Sequence, residues 1–192
     1  MKDRLEALAY DLVTGLMRLL PFGFVSGLGA AIVKLVGPLT SKRHIAETGL
    51  RTAFPEKSDA EIQTLMKAQW DNLGRTFAEF PVTHRLHPFK DKSRITTEGF
   101  EHFEANQPAI IVTGHFANWE VMATVLTQSD HTVRITYRKI NNPLIDARVR
   151  KQRQAYGTKF LVKKSSHAGG RELVEALKSG ESVALLNDQK FN

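Results

Sequence analysis

His115 and Glu120 stand five residues apart in the run Ala109-Ile-Ile-Val-Thr-Gly-His-Phe-Ala-Asn-Trp-Glu120. An apolar strand delivers Thr113-Gly114 and then His115 at its carboxyl edge, where open α/β sheets place reactive groups. In one continuous helix a five-residue spacing leaves two side chains about 140° apart. The two meet only if His115 lies on the turn and Glu120 in the first helical turn, and Gly114 gives the backbone freedom for that turn. A carboxylate on one imidazole nitrogen fixes the tautomer and leaves the other nitrogen to take a proton from a hydroxyl. No serine or cysteine nucleophile stands beside the pair, so the expected chemistry is direct attack by a substrate hydroxyl on an acyl carbonyl. The same spacing also suits a histidine capping a helix and a glutamate favouring its N-terminal dipole. The chain has no cysteine, and the helix-borne pair of histidines four apart that binds zinc is missing here. Neither a metal nor a bound cofactor is expected.

The elements that position this run follow a regular rhythm. From Arg94 onward, short β-rich stretches (Ile95–Glu98, Ala109–Thr113, Thr132–Tyr137, Lys159–Val162 and Ser182–Leu186) alternate with helical ones. The helices are expected around Asn118–Thr127, Pro143–Tyr156 and Gly170–Lys178, with Gly157 and Gly180 ending the last two. Strands separated by helices imply an α/β fold with a mainly parallel central sheet flanked by helices. Upstream, Ser58 and Glu61 form a capping box. Ile62, Leu65, Met66, Trp70, Leu73, Phe77 and Phe80 then recur at helical spacing as a core-facing stripe.

The first forty residues read differently. Leu5, Leu8, Ala9, Leu12, Leu16, Leu19 and Leu20 fall at helical spacing until Pro21. Leu19–Val33 carries no charge, and Lys34 is the only charge before Leu39. This is short of the roughly 18 apolar residues of a confident spanning helix, and no small-residue cleavage site marks a signal peptide. Residues 1–40 are therefore expected to form an apolar membrane-binding helical segment, interfacial or marginally spanning, with Lys34 snorkelling. A helical hairpin packed on the protein's own core fits the same pattern. Residues 41–192 would form the α/β domain.

Across 192 residues, 42% are hydrophobic and 24% charged, enough for a folded core, and the net charge is +7. That balance favours anionic partners such as a negative membrane leaflet, phosphorylated substrates or an acidic protein. Arg138, Lys139, Arg148, Arg150, Lys151, Arg153, Lys159, Lys163 and Lys164 concentrate the charge. They suit either a solvated face or electrostatic steering. Aromatic residues are not interleaved as a stacking platform, so nucleic acid is not an expected partner.

Thr113-Gly-His-Phe-Ala-Asn-Trp-Glu120 resembles the His-x4-Asp/Glu box of the lipid A biosynthesis lauroyl/myristoyl acyltransferases. Further segments are similar and come in that family's order: Leu50-Arg-Thr-Ala-Phe-Pro-Glu56, Gly74-Arg-Thr-Phe-Ala-Glu79, Tyr137-Arg138, Asn142-Pro-Leu-Ile-Asp146, Arg153 and Asp188-Gln189. Thr48-Gly49 departs from the family's more usual Glu-Asn. The resemblance implies that His115 is the general base and Glu120 its acidic partner. It implies that Arg153 stabilises the oxyanion, and that Asn118, Arg138 and Asp188 contribute to substrate binding.

By the same resemblance, a fatty acyl chain would pass from an acyl-carrier-protein thioester to a hydroxyl of a lipid A precursor. The expected partners are acyl carrier protein, a glycolipid acceptor and an anionic membrane surface. The expected location is the cytoplasmic face of the bacterial inner membrane. Acylation of another glycolipid, such as a phosphoinositide mannoside, and a non-enzymatic protein binding anionic membranes are the rival readings. Because the last strand runs straight into Asn187-Asp188-Gln189, the natural protein is expected to continue beyond Asn192.

Overall fold

The computed structural model describes residues 1–90, 94–103, 107–162 and 166–188. Lys163, Lys164 and Gln189 lie outside the described residues. Contacts divide the chain into two compact units, Met1–Gly15 with Thr83–Asn192, and Leu16–Val82.

The larger unit is built on strands β1 (Ile110–Thr113), β2 (Val133–Tyr137), β3 (Lys159–Val162) and β4 (Ser182–Leu186). They form one parallel sheet in the order β1-β4-β2-β3. Helices α5 (Trp119–Gln128), α6 (Pro143–Gln154) and α7 (Ser166–Lys178) alternate with the strands. Side chains of β4 alternate between the faces, as pleating requires. Ala184 joins Leu126, Val133 and Ile135, with Met122 and Ala123 of α5 packed against them. Val183 packs with Leu161 and Ala176, and Leu173 and Leu177 of α7 cover it. The expected mainly parallel α/β sheet flanked by helices is the observed fold.

Ile95–Glu98, expected as a strand, runs as irregular chain. A four-residue β-rich run has no ladder partner among the described strands, and propensity alone does not make a strand. Helix α1 (Lys2–Met17) begins in this unit.

The smaller unit holds α2 (Phe22–Val36), α3 (Lys42–Ala53) and α4 (Asp59–Glu79). Helix α4 starts at the expected capping box: Ser58 Oγ accepts from the Glu61 amide, and Glu61 accepts from the Ser58 amide at 2.9 Å. Ile62, Met66 and Trp70 are buried as expected, but Phe77 is 60% exposed. The reason lies at the α2–α4 seam, which is made of small residues. A Cβ added to Gly74 would lie 2.3 Å from the Gly29 carbonyl oxygen, and one added to Gly29 would lie 2.3 Å from Ala78 Cβ. Bringing two backbones this close turns Gly74 and Ala78 inward and carries Phe77 to the outside.

Gly74→Ala should therefore force the helices apart. The expected cost is about 1–3 kcal/mol, read as a fall of about 2–4 °C in Tm per kcal/mol. Gly49→Ala, in the open middle of α3 with nothing within 4 Å of the added carbon, should instead stabilise by up to about 1 kcal/mol. Equal effects of the two changes in thermal unfolding would refute the seam.

Phe22–Leu39 is long and apolar enough to cross a membrane, with mean hydropathy 1.7. Helix α2 nevertheless buries Val25, Ser26, Gly29 and Ala30. Polar contacts run along the same seam, where Ser26 donates to Glu79 at 2.6 Å and Lys34 pairs with Asp71 at 2.7 Å.

Candidate active site

Strand order decides what meets His115. Because β4 lies beside β1 with Thr113 opposite Leu186, the residues two positions past each strand come together, and these are His115 and Asp188. The His115 amide donates to Asp188 Oδ2 at 2.7 Å, and the imidazole Nδ1 lies 2.8 Å from Asp188 Oδ1. Facing a carboxylate, Nδ1 carries the proton, which makes Nε2 the ring nitrogen with the basic lone pair. The two bonds from His115, led by the ring contact, hold the Asp188 carboxyl below its ordinary range. Those bonds favour the ionised aspartate. Trp119 meets the imidazole edge-on, with centroids 4.9 Å apart.

Gly114 is required for space as well as for turning. A Cβ there would lie 2.8 Å from the Phe116 ring and 3.0 Å from Asp188 Oδ2, displacing the carboxylate that holds His115. The turn is completed by Ala117 at φ 43°, a left-handed conformation uncommon outside glycine. Asn118 then caps α5, its side-chain oxygen accepting from the Glu120 amide at 3.1 Å.

The expected contact between His115 and Glu120 is replaced by another. Glu120 is 6% exposed, and both of its carboxylate oxygens accept from Arg153 of α6, one from Nε at 3.1 Å and the other from Nη2. A forked guanidinium matches a carboxylate better than an imidazole can. The first turn of α5 directs Glu120 toward α6, while Asp188 already occupies Nδ1. Arg153 also lies over the Tyr137 ring, 5.6 Å from its centroid.

Tyr137 and Asp146 are a pair that reasoning from sequence missed as a contact, although both stand in the segments carrying the family resemblance. The Tyr137 hydroxyl donates to Asp146 Oδ1 at 2.6 Å, and the Ile140 amide donates to the same oxygen at 2.8 Å. Burial, reinforced by the bond to Asp146, pushes the Tyr137 hydroxyl up, so it remains a donor. Burial also opposes ionisation of Asp146, but the Tyr137 and Ile140 bonds outweigh it and lower that carboxyl. The bond ties the end of β2 to the first turn of α6 and so fixes the floor beneath Arg153.

A cavity of about 240 Å³ opens between these elements, with His115, Glu120, Arg153 and Arg138 on its polar side and Met122 and Phe160 among its apolar walls. The anticipated basic cluster is not one uniform field. Arg148 pairs with Asp11, Arg153 with Glu120 and Lys159 with Glu181, while Arg150 lies over Phe160. Exposed Arg138 reaches the cavity wall. Among the described residues, no group of three histidines or carboxylates could hold a metal ion.

A base with one nitrogen held by a carboxylate, next to a fixed guanidinium and a partly apolar cavity, suits proton removal from a hydroxyl that attacks an acyl carbon. No curated protein matches the chain in sequence. The family described as bacterial lipid A biosynthesis acyltransferase matches residues 5–192. With nearly every residue inside that match, the chain belongs to the bacterial lipid A biosynthesis acyltransferase family, whose reactions serve lipopolysaccharide biosynthesis.

Proposed function

We propose that this protein transfers a fatty acyl chain from an acyl-carrier-protein thioester to a hydroxyl of a lipid A precursor at the cytoplasmic face of the bacterial inner membrane. The observation that carries this reading is the His115–Asp188 pair at the carboxyl edge of the sheet, beside Arg153. The acceptor hydroxyl gives its proton to His115 Nε2 as its oxygen attacks the thioester carbonyl. Asp188 holds the ring and stabilises the imidazolium formed. Collapse of the tetrahedral intermediate breaks the C–S bond, and the thiolate leaves with the proton from Nε2.

Glu120 acts as a positioning residue. It fixes Arg153 so that the guanidinium faces the cavity, where a preorganised charge stabilises the developing oxyanion. Arg138 at the rim offers a phosphate contact to either substrate. Asn118 shapes the approach by capping α5 rather than by touching the reacting atoms. The apolar cavity wall receives acyl chain. The chemistry needs only proton transfer and charge stabilisation, so no cofactor beyond the carrier-borne donor is required.

The test is transfer of labelled acyl chain from a defined acyl carrier protein thioester to a lipid A precursor. Formation of acylated glycolipid, dependent on His115, is expected. Thioester hydrolysis without transfer, or transfer unaffected by loss of His115, would overturn the reading.

A further inference from the structure

One carboxylate oxygen closes the segment that carries Arg138. Asp146 Oδ1 accepts from the Tyr137 hydroxyl at 2.6 Å and from the Ile140 amide at 2.8 Å. Tyr137 and Ile140 flank Arg138 and Lys139, so a single atom pins both ends of the four-residue stretch that leaves β2. Asp146 is itself set by α6. Its amide donates to the Asn142 carbonyl at 2.9 Å, and the Asn142 side chain accepts from the Leu144 and Ile145 amides. The pinning oxygen therefore stands on the capped first turn of a helix.

Three observations separate this clasp from an ordinary strand-to-helix turn. Tyr137, Arg138 and Ile140 all line the cavity that also holds His115 and Arg153. Tyr137 is 6% exposed and Asp146 8%, and burying a carboxylate costs free energy that a turn does not require. Between the two pins, Arg138 is exposed and makes no hydrogen bond or ion pair among the described residues. Arg153, the other arginine of the cavity, is by contrast engaged by Glu120. A cation on a closed loop at a cavity wall, with no anion of its own, is arranged to receive one.

We propose that Asp146 and Tyr137 are positioning residues that hold Arg138 ready to take the phosphate group of a substrate entering the cavity. A guanidinium fork matches phosphate through two parallel bonds. A loop that is already closed loses less freedom when the anion binds. The choice of phosphate rests on the proposed acyl-transfer reading, in which the phosphopantetheine arm of the donor and the sugar headgroup of the acceptor both carry one. The clasp rests on geometry alone, so the first test uses neither acyl donor nor acceptor lipid.

Two resonances of the nitrogen-labelled full chain report separately by NMR. Exchange of the Ile140 amide reads the clasp, and the Arg138 Nε–H reads the anion. Phosphopantetheine or glucosamine phosphate should shift the Arg138 signal, whereas unphosphorylated pantetheine and glucosamine should not. The probe that saturates at lower concentration identifies the source of the phosphate. Asp146→Ala removes both pins and should speed Ile140 exchange and weaken probe binding about tenfold. Tyr137→Phe removes one pin, keeps the ring beneath Arg153, and should weaken binding about threefold. Asp146→Asn keeps an acceptor oxygen in place and should restore most of the affinity lost in Asp146→Ala. In turnover, Tyr137→Phe should raise KM for the phosphate-bearing substrate more than it lowers kcat. Partial unfolding would instead lower kcat with KM unchanged. If Asp146→Ala does not fold, Tyr137→Phe and Asp146→Asn carry the same comparison. Faster Ile140 exchange with probe affinity unchanged would overturn the positioning role, and so would failure of both phosphorylated probes to bind. An inactive protein whose Arg138 still takes the probes in a clasp-dependent way would support the positioning and sink the acyl-transfer reading.

Discussion

His115→Ala should lower acyl transfer by about 10²–10⁴-fold, the usual worth of a general base, without a matching loss of stability, because the ring is partly open to the site. Asp188→Asn should come close to the same loss for a reason visible in its bonds. Both aspartate oxygens accept, one from the His115 amide and one from Nδ1. An amide offers one acceptor and one donor, so one N–H of His115 would face another N–H. The two residues act as one unit, and the double variant should be scarcely slower than either single one. His115→Ala combined with Glu120→Gln should come nearer to additivity, since Glu120 is bonded to Arg153. Single-turnover transfer with saturating donor measures both cycles. Stronger coupling of His115 to Glu120 than to Asp188 would refute the pairing. Because the Asp188 carboxyl is lowered, its contact with His115 is present above about pH 4 and is lost only as pH falls below that. Loss of activity at milder acidity would have to come from another group.

The two halves of that pair show where sequence reasoning stops. His115 was legible as a strand-end histidine because four of the five expected strands form close to their predicted ends, and the turn after β1 follows from Gly114. Asp188 was legible as a polar residue past a strand. That the two touch depends on β4 inserting beside β1, and no local pattern encodes strand order. Glu120 drew attention by nearness in sequence, whereas its partner Arg153 is 33 residues away and is brought to it by α6.

The same limit explains α1 and α4. The leucine repeat announced a helix, and its period is real. A repeat cannot say whether the apolar side faces the protein or leaves it, and here it leaves, with Leu5, Leu8 and Leu12 exposed. In α4 the apolar stripe coincides with the buried side through Trp70. Beyond that point the seam is written in Gly29, Gly74 and Ala78, residues whose value is their lack of bulk. Hydropathy gives them little weight, so helical periodicity alone turns Phe77 inward.

Arg153 supplies the second large effect, in stability as well as rate. Arg153→Ala should leave Glu120, 6% exposed, as an unpaired buried carboxylate, at a cost of roughly 3–5 kcal/mol. Glu120→Gln should cost less, because the Arg153 side chain is 22% exposed and keeps the Tyr137 ring beside it. The asymmetry follows from burial: the group left behind in deeper surroundings pays more desolvation without its partner. Arg153→Lys should fall between, since one ammonium cannot reproduce two bonds from a planar fork. Glu120→Gln with Arg153→Ala should be less destabilised than the sum of its parts, as no charge is then stranded. Denaturant unfolding measures these four proteins. Transfer rates taken below the unfolding midpoint then separate function from folding. If Glu120 only positions Arg153, the folded Glu120→Gln and Arg153→Ala proteins should lose rate by similar factors, up to about 10²–10³-fold, and the double variant by little more. A folded Arg153→Ala protein that turns over normally would leave the ion pair as a strut between α5 and α6, and the oxyanion would have to be held by other donors.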